Sequence, residues 1–102
     1  MGHSRLDLQT VLEETLGSTY VYYQPPESVS LQYPCIIYNL DNMDTQFSDN
    51  TPHSVVRRYS VTVIDADPDS DLPDKIAQLP MCIFDRHYTA DNLNHDIFLI
   101  YF

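Results

Sequence analysis

The sequence predicts an α+β fold in which two helices pack on one side of a mixed, mainly antiparallel sheet. Three observations support this prediction. Residues Tyr59–Ile64 form one run of β-branched, aromatic and small hydroxyl residues. Their alternation is typical of a strand with one side facing the core and a more polar side opposite. A short helical segment with a single apolar stripe follows, and such a helix needs a sheet to pack against. Two more apolar runs, Cys82–Tyr88 and Leu93–Phe102, provide further strands.

The composition indicates a single domain over residues 1–102. Hydrophobic residues make up 43% of the chain and only two residues are glycine, so the chain is too apolar and too regular to be disordered. No run approaches the ~18 apolar residues of a membrane span, and no basic-then-apolar leader precedes the first helix, so we expect a cytosolic protein at synthesis. The net charge of −10 argues against nucleic-acid binding, because phosphate contacts require clustered Lys and Arg.

Local signals place the first elements. Ser4, followed three residues later by Asp7, predicts the start of a helix, and Gly17 predicts its end. A short strand is expected at Tyr20–Tyr23. The run Pro34–Tyr38 is apolar throughout, which is typical of a central strand covered on both faces.

The segment Asp41–Pro52 combines two kinds of signal. Met43 and Phe47 fall on one side of an alternating pattern, whereas the stretch SDNTP is dense in loop-forming residues. We therefore expect a short, irregular strand and then a mobile loop. The strand Val55–Asp65 is expected to pair antiparallel with its predecessor, as a hairpin with an extended tip.

The second helix is expected after the corner DADPDS. Pro68 ends the preceding strand because proline has no N–H for the ladder. Asp71 is placed to cap the helix, and Pro73 is tolerated in its first turn. Pro80 is expected to end the helix. Its apolar stripe consists of Leu72, Ile76 and Leu79.

The last two strands are joined by the turn-forming residues Thr89–Asn92, which predict a second hairpin. From Ile97 to Phe102 both faces of the last strand are apolar, which is unfavourable for a strand in water. We therefore expect another subunit to cover one face or edge of this strand, with Phe98, Ile100 and Phe102 at the contact.

The acidic corner is the first candidate metal site. Its carboxylates are spaced like the opening of a calcium loop, at Asp65, Asp67, Asp69 and Asp71. Ser70 and Ile76, however, stand where that loop has Gly and Glu. We interpret the corner as a solvated strand-to-helix connection.

The histidines and cysteines are the remaining candidates for chemistry. His87 and His95 flank the last turn and His53 lies in the expected loop, but none has a compact zinc spacing, so we expect hydrogen bonds across the hairpin or a subunit contact. Cys35 and Cys82 lie in apolar runs and are expected to be buried free thiols, with a disulfide as the alternative. No nucleophile motif and no glycine-rich phosphate loop is present in the sequence. The sequence thus predicts a protein that is not an enzyme and has no catalytic residue, cofactor or metal.

The C-terminal half follows a particular order of parts: the strand YSVTVID, the corner DPDS, a short helix ending in LP, and FDRHYTADNLNHDIF. The opening, a helix followed by VYYQPPESVSLQYPCIIYNL, fits the same order. In this order the chain resembles the tail completion, or tail terminator, proteins of long-tailed bacteriophages, also described as minor tail or neck proteins.

The resemblance implies a structural virion protein in the tail and neck, assembled in the host cytoplasm without a membrane. Such subunits form a ring, commonly a hexamer, that ends growth of the tail tube and joins the tail to the head connector. The implied partners are the tail tube protein and the head-completion or connector protein, and DNA passes through without specific binding. Gln46, Phe47, Asp49 and Asn50 are then candidate contacts with a partner ring.

Two alternatives stay open. The first is a monomeric or dimeric adaptor domain that binds a partner by adding it to a sheet edge. The second is a hydrolase that depends on a divalent metal held by the Asp65–Asp71 cluster. A concentration-dependent ring, a stable monomer with an open edge, and stabilisation by calcium or magnesium would distinguish the three hypotheses.

Overall fold

The computed structural model describes residues 4–48 and 51–102 and has the expected α+β fold. Five strands form one sheet, and two helices accompany it. In chain order the elements are α1 (Arg5–Leu16), β1 (Val21–Tyr23), β2 (Cys35–Ser48), β3 (Thr51–Asp65), α2 (Leu72–Ala77), β4 (Cys82–Ala90) and β5 (Leu93–Tyr101).

The sheet has the strand order β1-β2-β3-β5-β4. β1 pairs parallel with β2, and every other neighbouring pair is antiparallel. β5 therefore lies between β3 and β4, and α2 connects two strands that are not neighbours. This order places β1 and β4 at the two edges of the sheet.

Helix α1 begins and ends where the sequence predicts. The Ser4 hydroxyl accepts a hydrogen bond from the backbone N–H of Asp7, and the Asp7 carboxylate accepts one from the N–H of Ser4. This reciprocal pair satisfies N–H groups that have no partner within the helix. Gly17 ends the helix with a φ of 84°, a left-handed conformation that glycine adopts without steric strain.

Helix α2 differs in its cap. Asp71 has helical backbone angles and makes no capping hydrogen bond, so the prediction that it caps the helix was wrong. A side-chain cap needs an extended backbone at that residue. The Ser70 hydroxyl instead accepts from the N–H of Leu72 at 3.2 Å. Pro73 lies in the first turn as expected, and the helix ends at Ala77, before Pro80.

The main core lies between the helices and one face of the sheet. α1 contributes Leu8 and Leu12, and α2 contributes Leu72 and Ile76. The sheet residues in this cluster are Val21, Ile36, Tyr38, Tyr59, Val61, Val63, Phe98 and Ile100. Cys35, Ile64 and Ile97 are also buried but lie outside this cluster. The start of β2 is therefore covered on both faces, as its continuous apolar run predicts.

Phe98 and Ile100 are each 1% exposed. Both belong to the same buried cluster as residues of the two helices. Phe98 is therefore covered within the chain and its assignment to a subunit contact was wrong, whereas Ile100 also lines an apolar groove at the surface. The unfavourable apolar face of β5 is buried within the same chain. Phe102 is partly buried against the edge of this core.

The first hairpin is longer than expected. β2 continues to Ser48 and β3 starts at Thr51, so within the described residues the prediction of a short strand followed by a mobile loop was wrong. The expected irregularity is present, because the pairing shifts register between Leu40 and Asn42 and again between Gln46 and Phe47. Cross-strand pairing extends to Ser48 and Thr51 and outweighs the loop-forming tendency of the individual residues.

The second hairpin forms between the last two strands, as predicted. Asp91 and Asn92 form a two-residue turn between β4 and β5, with φ values of 54° and 63°. Positive φ at both positions is typical of the type I′ turn, whose twist matches that of the flanking strands.

Candidate assembly surfaces

The outer part of the first hairpin extends beyond the rest of the sheet. β5 pairs with β3 only from Arg58 inward, so residues 42–48 and 51–57 form a two-stranded ribbon, here called the arm. Seven residues per strand at ~3.3 Å each give the arm a length of about 23 Å. The molecule is correspondingly elongated, at 51 × 26 × 23 Å.

A β-bulge and an ion pair mark the base of the arm. Asp41 is the extra residue where the register shifts between Leu40 and Asn42. Its carboxylate accepts from Nε of Arg58 at 2.6 Å and lies 2.5 Å from Nη2 of the same guanidinium. A bulge bends a strand and changes its direction. Hydrogen bonds to Tyr101 and then to Asp41 raise the pKa of Arg58.

One face of the arm carries an exposed apolar stripe. Met43, Phe47 and Val55 are 46%, 66% and 40% exposed. Met43 and Phe47 share a side of β2, and Val55 pairs with Thr45 on the same side. We call these three residues the arm stripe.

An apolar groove of about 420 Å³ lies where α1 approaches the end of β5. Leu8 and Val11 of α1, Val56, residues 79–81 and residues 100–102 line it. Among these described lining residues, no side chain is acidic or basic. We call this feature the end groove.

Met81 is the strained residue of the end groove. Its φ is 58° and its side chain is 67% exposed. A residue with a Cβ loses roughly 1–2 kcal/mol in this left-handed conformation. Backbone hydrogen bonding holds it there, because its carbonyl accepts from the N–H of Tyr101 at 3.0 Å. Strain that the surrounding structure maintains is a common mark of a functional position.

A buried hydroxyl attaches α1 to the sheet and thereby fixes one wall of the groove. Tyr38 is fully buried, and its hydroxyl accepts from Arg5 at 3.0 Å and donates to Gln9 at 2.6 Å. Gln9 also donates to the carbonyl of Val21 at 2.9 Å. The Arg5 guanidinium lies 4.4 Å from the centre of the Tyr23 ring, a cation–π contact. Desolvation raises the pKa of Tyr38, and the hydrogen bond from Arg5 partly opposes this.

The edge strand β4 is a third surface with apolar residues. Ile83, Phe84 and Tyr88 are 56%, 53% and 43% exposed. Within the described residues β4 pairs on one side only, with β5. The register shifts at Asp85, and a bulge with a charged residue is a common way to protect an edge from pairing.

The acidic corner is held by its own backbone. The Asp65 carboxylate accepts from the N–H of Asp67, and the Asp67 carboxylate accepts from the N–H of Asp69, both at 2.9 Å. Asp71 lies 3.6 Å from Lys75. In residues 4–48 and 51–102 no group of three or more His, Cys, Asp or Glu side chains is arranged to hold a metal.

The histidines that flank the last turn have separate partners. Nδ1 of His87 lies 2.7 Å from a carboxylate oxygen of Asp96 on the neighbouring strand. The ring of His95 stacks on Tyr88 with the centroids 4.6 Å apart. The expected hydrogen bond across the hairpin is therefore present for His87, whereas Nδ1 of His95 lies 3.2 Å from the carbonyl of Leu93 in its own strand. The side chain of His53 lies outside the described residues.

Both cysteines are free thiols, as expected. Cys35 is buried, and desolvation raises its pKa to about 11. Cys82 is half-buried at the rim of the main core, and its pKa is raised for the same reason. A high thiol pKa reduces the thiolate fraction and therefore the reactivity of both groups.

The predicted contact residues fall into three groups. Phe47 lies on the arm stripe, and Phe102 lines the end groove. Phe98 and Ile100 belong to the core, although Ile100 also reaches the groove floor. Asp49 and Asn50, like the side chain of Gln46, lie outside the described residues.

Sequence reasoning placed Val11 on the apolar face of the first helix but did not find the end groove, and it gave Met81 no role. Met81 lies in the short connection between α2 and β4, and both residues line the groove. Periodicity carries no signal for a groove whose walls come from distant parts of the chain. The dipeptide Pro80-Met81 between a helix and a strand marked only a turn.

No protein-family model matches the chain, and the comparison with curated proteins gives no match either. Within the described part of the chain, neither helix is long and apolar enough to cross a membrane.

Proposed function

We propose that the chain is a structural virion protein that ends the tail tube of a long-tailed phage and joins the tail to the head connector. It acts as one subunit of a ring, such as a hexamer, around the DNA conduit and performs no catalysis. Its partners are the tail tube protein and the head-completion or connector protein. The observation that best supports this proposal is the exposed apolar stripe on the arm.

The arm is a ribbon that needs a partner. An isolated two-stranded hairpin is marginally stable in water, and this one exposes Met43, Phe47 and Val55. The end groove is a second apolar surface, formed by other residues of the same chain. Two different surfaces that bind each other produce a head-to-tail contact, and repeated contacts of this kind close into a ring when the rotation permits.

The charge of the chain suits a conduit for DNA. Each subunit has a formal charge of −10, and exposed carboxylates include those of Asp67, Asp69 and Asp74. A ring multiplies this charge and repels the phosphate backbone, so DNA can pass without being retained. This supports a passive channel over a nucleic-acid-binding role.

The test combines the chain with tail tubes of the virus that encodes it. We expect gold-labelled protein at one end of each tube in electron micrographs, and an arrest of tube growth in a polymerisation assay. Asp67→Asn with Asp69→Asn serves as the control, because it removes carboxylates of the corner but leaves both apolar surfaces intact. Binding along the tube wall, or continued growth at labelled ends, would contradict the proposal.

The part of edge strand β4 outside the bulge at Asp85 supports a second candidate, an adaptor domain that adds a partner strand to its sheet. Its exposed Ile83, Phe84 and Tyr88 would provide side-chain contacts beside the backbone hydrogen bonds. Amide hydrogen exchange of the assembled protein separates the two candidates. Protection confined to β4 would support the adaptor, whereas protection of the arm and of residues 79–81 would support the ring.

A further inference from the structure

We infer that the arm of one copy of the chain docks in the end groove of the next copy. The arm stripe of one subunit then covers the groove of its neighbour. This inference rests on the proposed function, because it names the contact that builds the ring.

Electrostatics favours these two surfaces over the rest of the molecule. Two copies that each carry a charge of −10 repel one another. The described lining residues of the end groove carry no acidic or basic side chain. On the arm, the exposed charge beside the arm stripe is the basic Arg57, which pairs with Met43 on the same face and is attracted to an acidic neighbour. A contact between the arm stripe and the end groove brings the copies together without desolvating carboxylates, and it removes apolar surface from water.

The dimensions exclude the chain's own Phe47 as the occupant. Val56 lines the groove and also belongs to the arm, so the arm starts beside its own groove and leads away from it. Phe47 pairs with Pro52, four residues beyond Val56, which is about 13 Å along the ribbon.

The groove is held in a form that suits an occupant. Met81 keeps a left-handed backbone and displays its thioether at the rim, where a flexible side chain adapts to an incoming aromatic ring. The contacts of Tyr38 with Arg5 and Gln9 hold the wall formed by α1. Phe47, with 66% of its surface exposed, is the arm's most exposed large apolar residue among those described. It is the side chain that we place in the groove.

Two variants test the contact separately. Phe47→Asp replaces the main apolar contact residue of the arm with a charged one, and Met81→Asp places a charge in the groove. Both residues are about two-thirds exposed, at 66% and 67%, so the changes leave the core intact. Aspartate also tolerates positive φ at position 81. Leu6→Asp and Phe84→Asp are the controls, because these residues are similarly exposed, at 64% and 53%, but lie outside arm and groove.

Sedimentation velocity over a range of concentrations provides the readout, with circular dichroism to verify folding. We expect wild type and both controls to associate, and each test variant to bind about 30-fold more weakly or worse, as for a central contact residue. A 1:1 mixture of the two variants should form a dimer and stop there. In this mixture the intact arm of Met81→Asp binds the intact groove of Phe47→Asp. The surfaces that remain free are the altered arm and the altered groove, so no third subunit can bind.

Three results would overturn the inference. They are a mixture of folded variants that stays monomeric, assembly that persists in either variant alone, and a wild type that stays monomeric up to ~1 mM. Loss of assembly in Phe84→Asp but not in Phe47→Asp would place the contact on β4 instead. In each case the proposed function is still judged separately, by whether the wild-type protein binds the ends of tail tubes.

Discussion

Replacing Tyr38 with Phe is expected to loosen α1 while preserving the packing of the core. The change removes only the hydroxyl that accepts from Arg5 at 3.0 Å and donates to Gln9 at 2.6 Å. The ring stays in place against Tyr23 and Tyr59, whose centroids lie 4.9 and 6.0 Å away. Because α1 forms one wall of the end groove, the effect reaches the proposed assembly surface.

The magnitude follows from the two hydrogen bonds. A neutral bond contributes ~0.5–1.5 kcal/mol to stability and a bond to a charged group ~1.5–3 kcal/mol. Arg5 and Gln9 are only half-buried, so water partly replaces the lost partner. We therefore expect the free energy of unfolding to fall by about 2 kcal/mol, near the lower end of the combined range.

Urea denaturation followed by circular dichroism measures this loss. Tyr20→Phe is the matched control, because Tyr20 is 40% exposed and lies outside the buried aromatic cluster. The control should change the free energy of unfolding by less than ~0.5 kcal/mol. A loss below that value for Tyr38→Phe would refute the view that its hydroxyl attaches α1 to the sheet.

Three further predictions concern the thiol, the second helix and the last turn. Burial raises the pKa of Cys35 from 9.0 to about 11, so the folded state keeps a proton that the unfolded chain releases. This contribution is complete below pH ~9 and is lost as the pH rises through ~11, by up to about 2.7 kcal/mol. Urea midpoints measured across this range should fall less steeply for Cys35→Ala, and parallel curves would contradict the assignment. Ile76→Ala should destabilise the fold by ~2–5 kcal/mol, because the side chain is fully buried between α2 and the sheet; a loss under ~1 kcal/mol would show that α2 packs loosely. In the turn, Asn92→Gly should stabilise slightly and Asn92→Val should destabilise by ~1–2 kcal/mol, because the φ of 63° disfavours β-branched residues. Thermal unfolding checks the order, and the reverse order would exclude this turn conformation.

Features that depend on neighbours along the chain were predictable from the amino-acid sequence. The capping box of Ser4 and Asp7, the helix end at Gly17 and the turn at Asp91-Asn92 all use side chains and backbone within a few residues. The alternation along Tyr59–Ile64 likewise predicted a strand with two faces. These signals were sufficient for the fold class and for most of the elements.

Which surfaces are covered depends on contacts between distant parts of the chain. From Ile97 onward both faces of β5 are apolar, so the sequence pattern cannot tell that Phe98 and Ile100 pack in one cluster with residues of the two helices. The strand order, with β5 between β3 and β4, depends on contacts between residues far apart in sequence. The arm and the end groove arise in the same way. Cross-strand pairing extends the hairpin to Ser48 and Thr51 although these residues favour loops. The groove combines residues of α1 with residues 100–102. Neither feature could be predicted from local propensity, because both depend on partners that are distant in sequence.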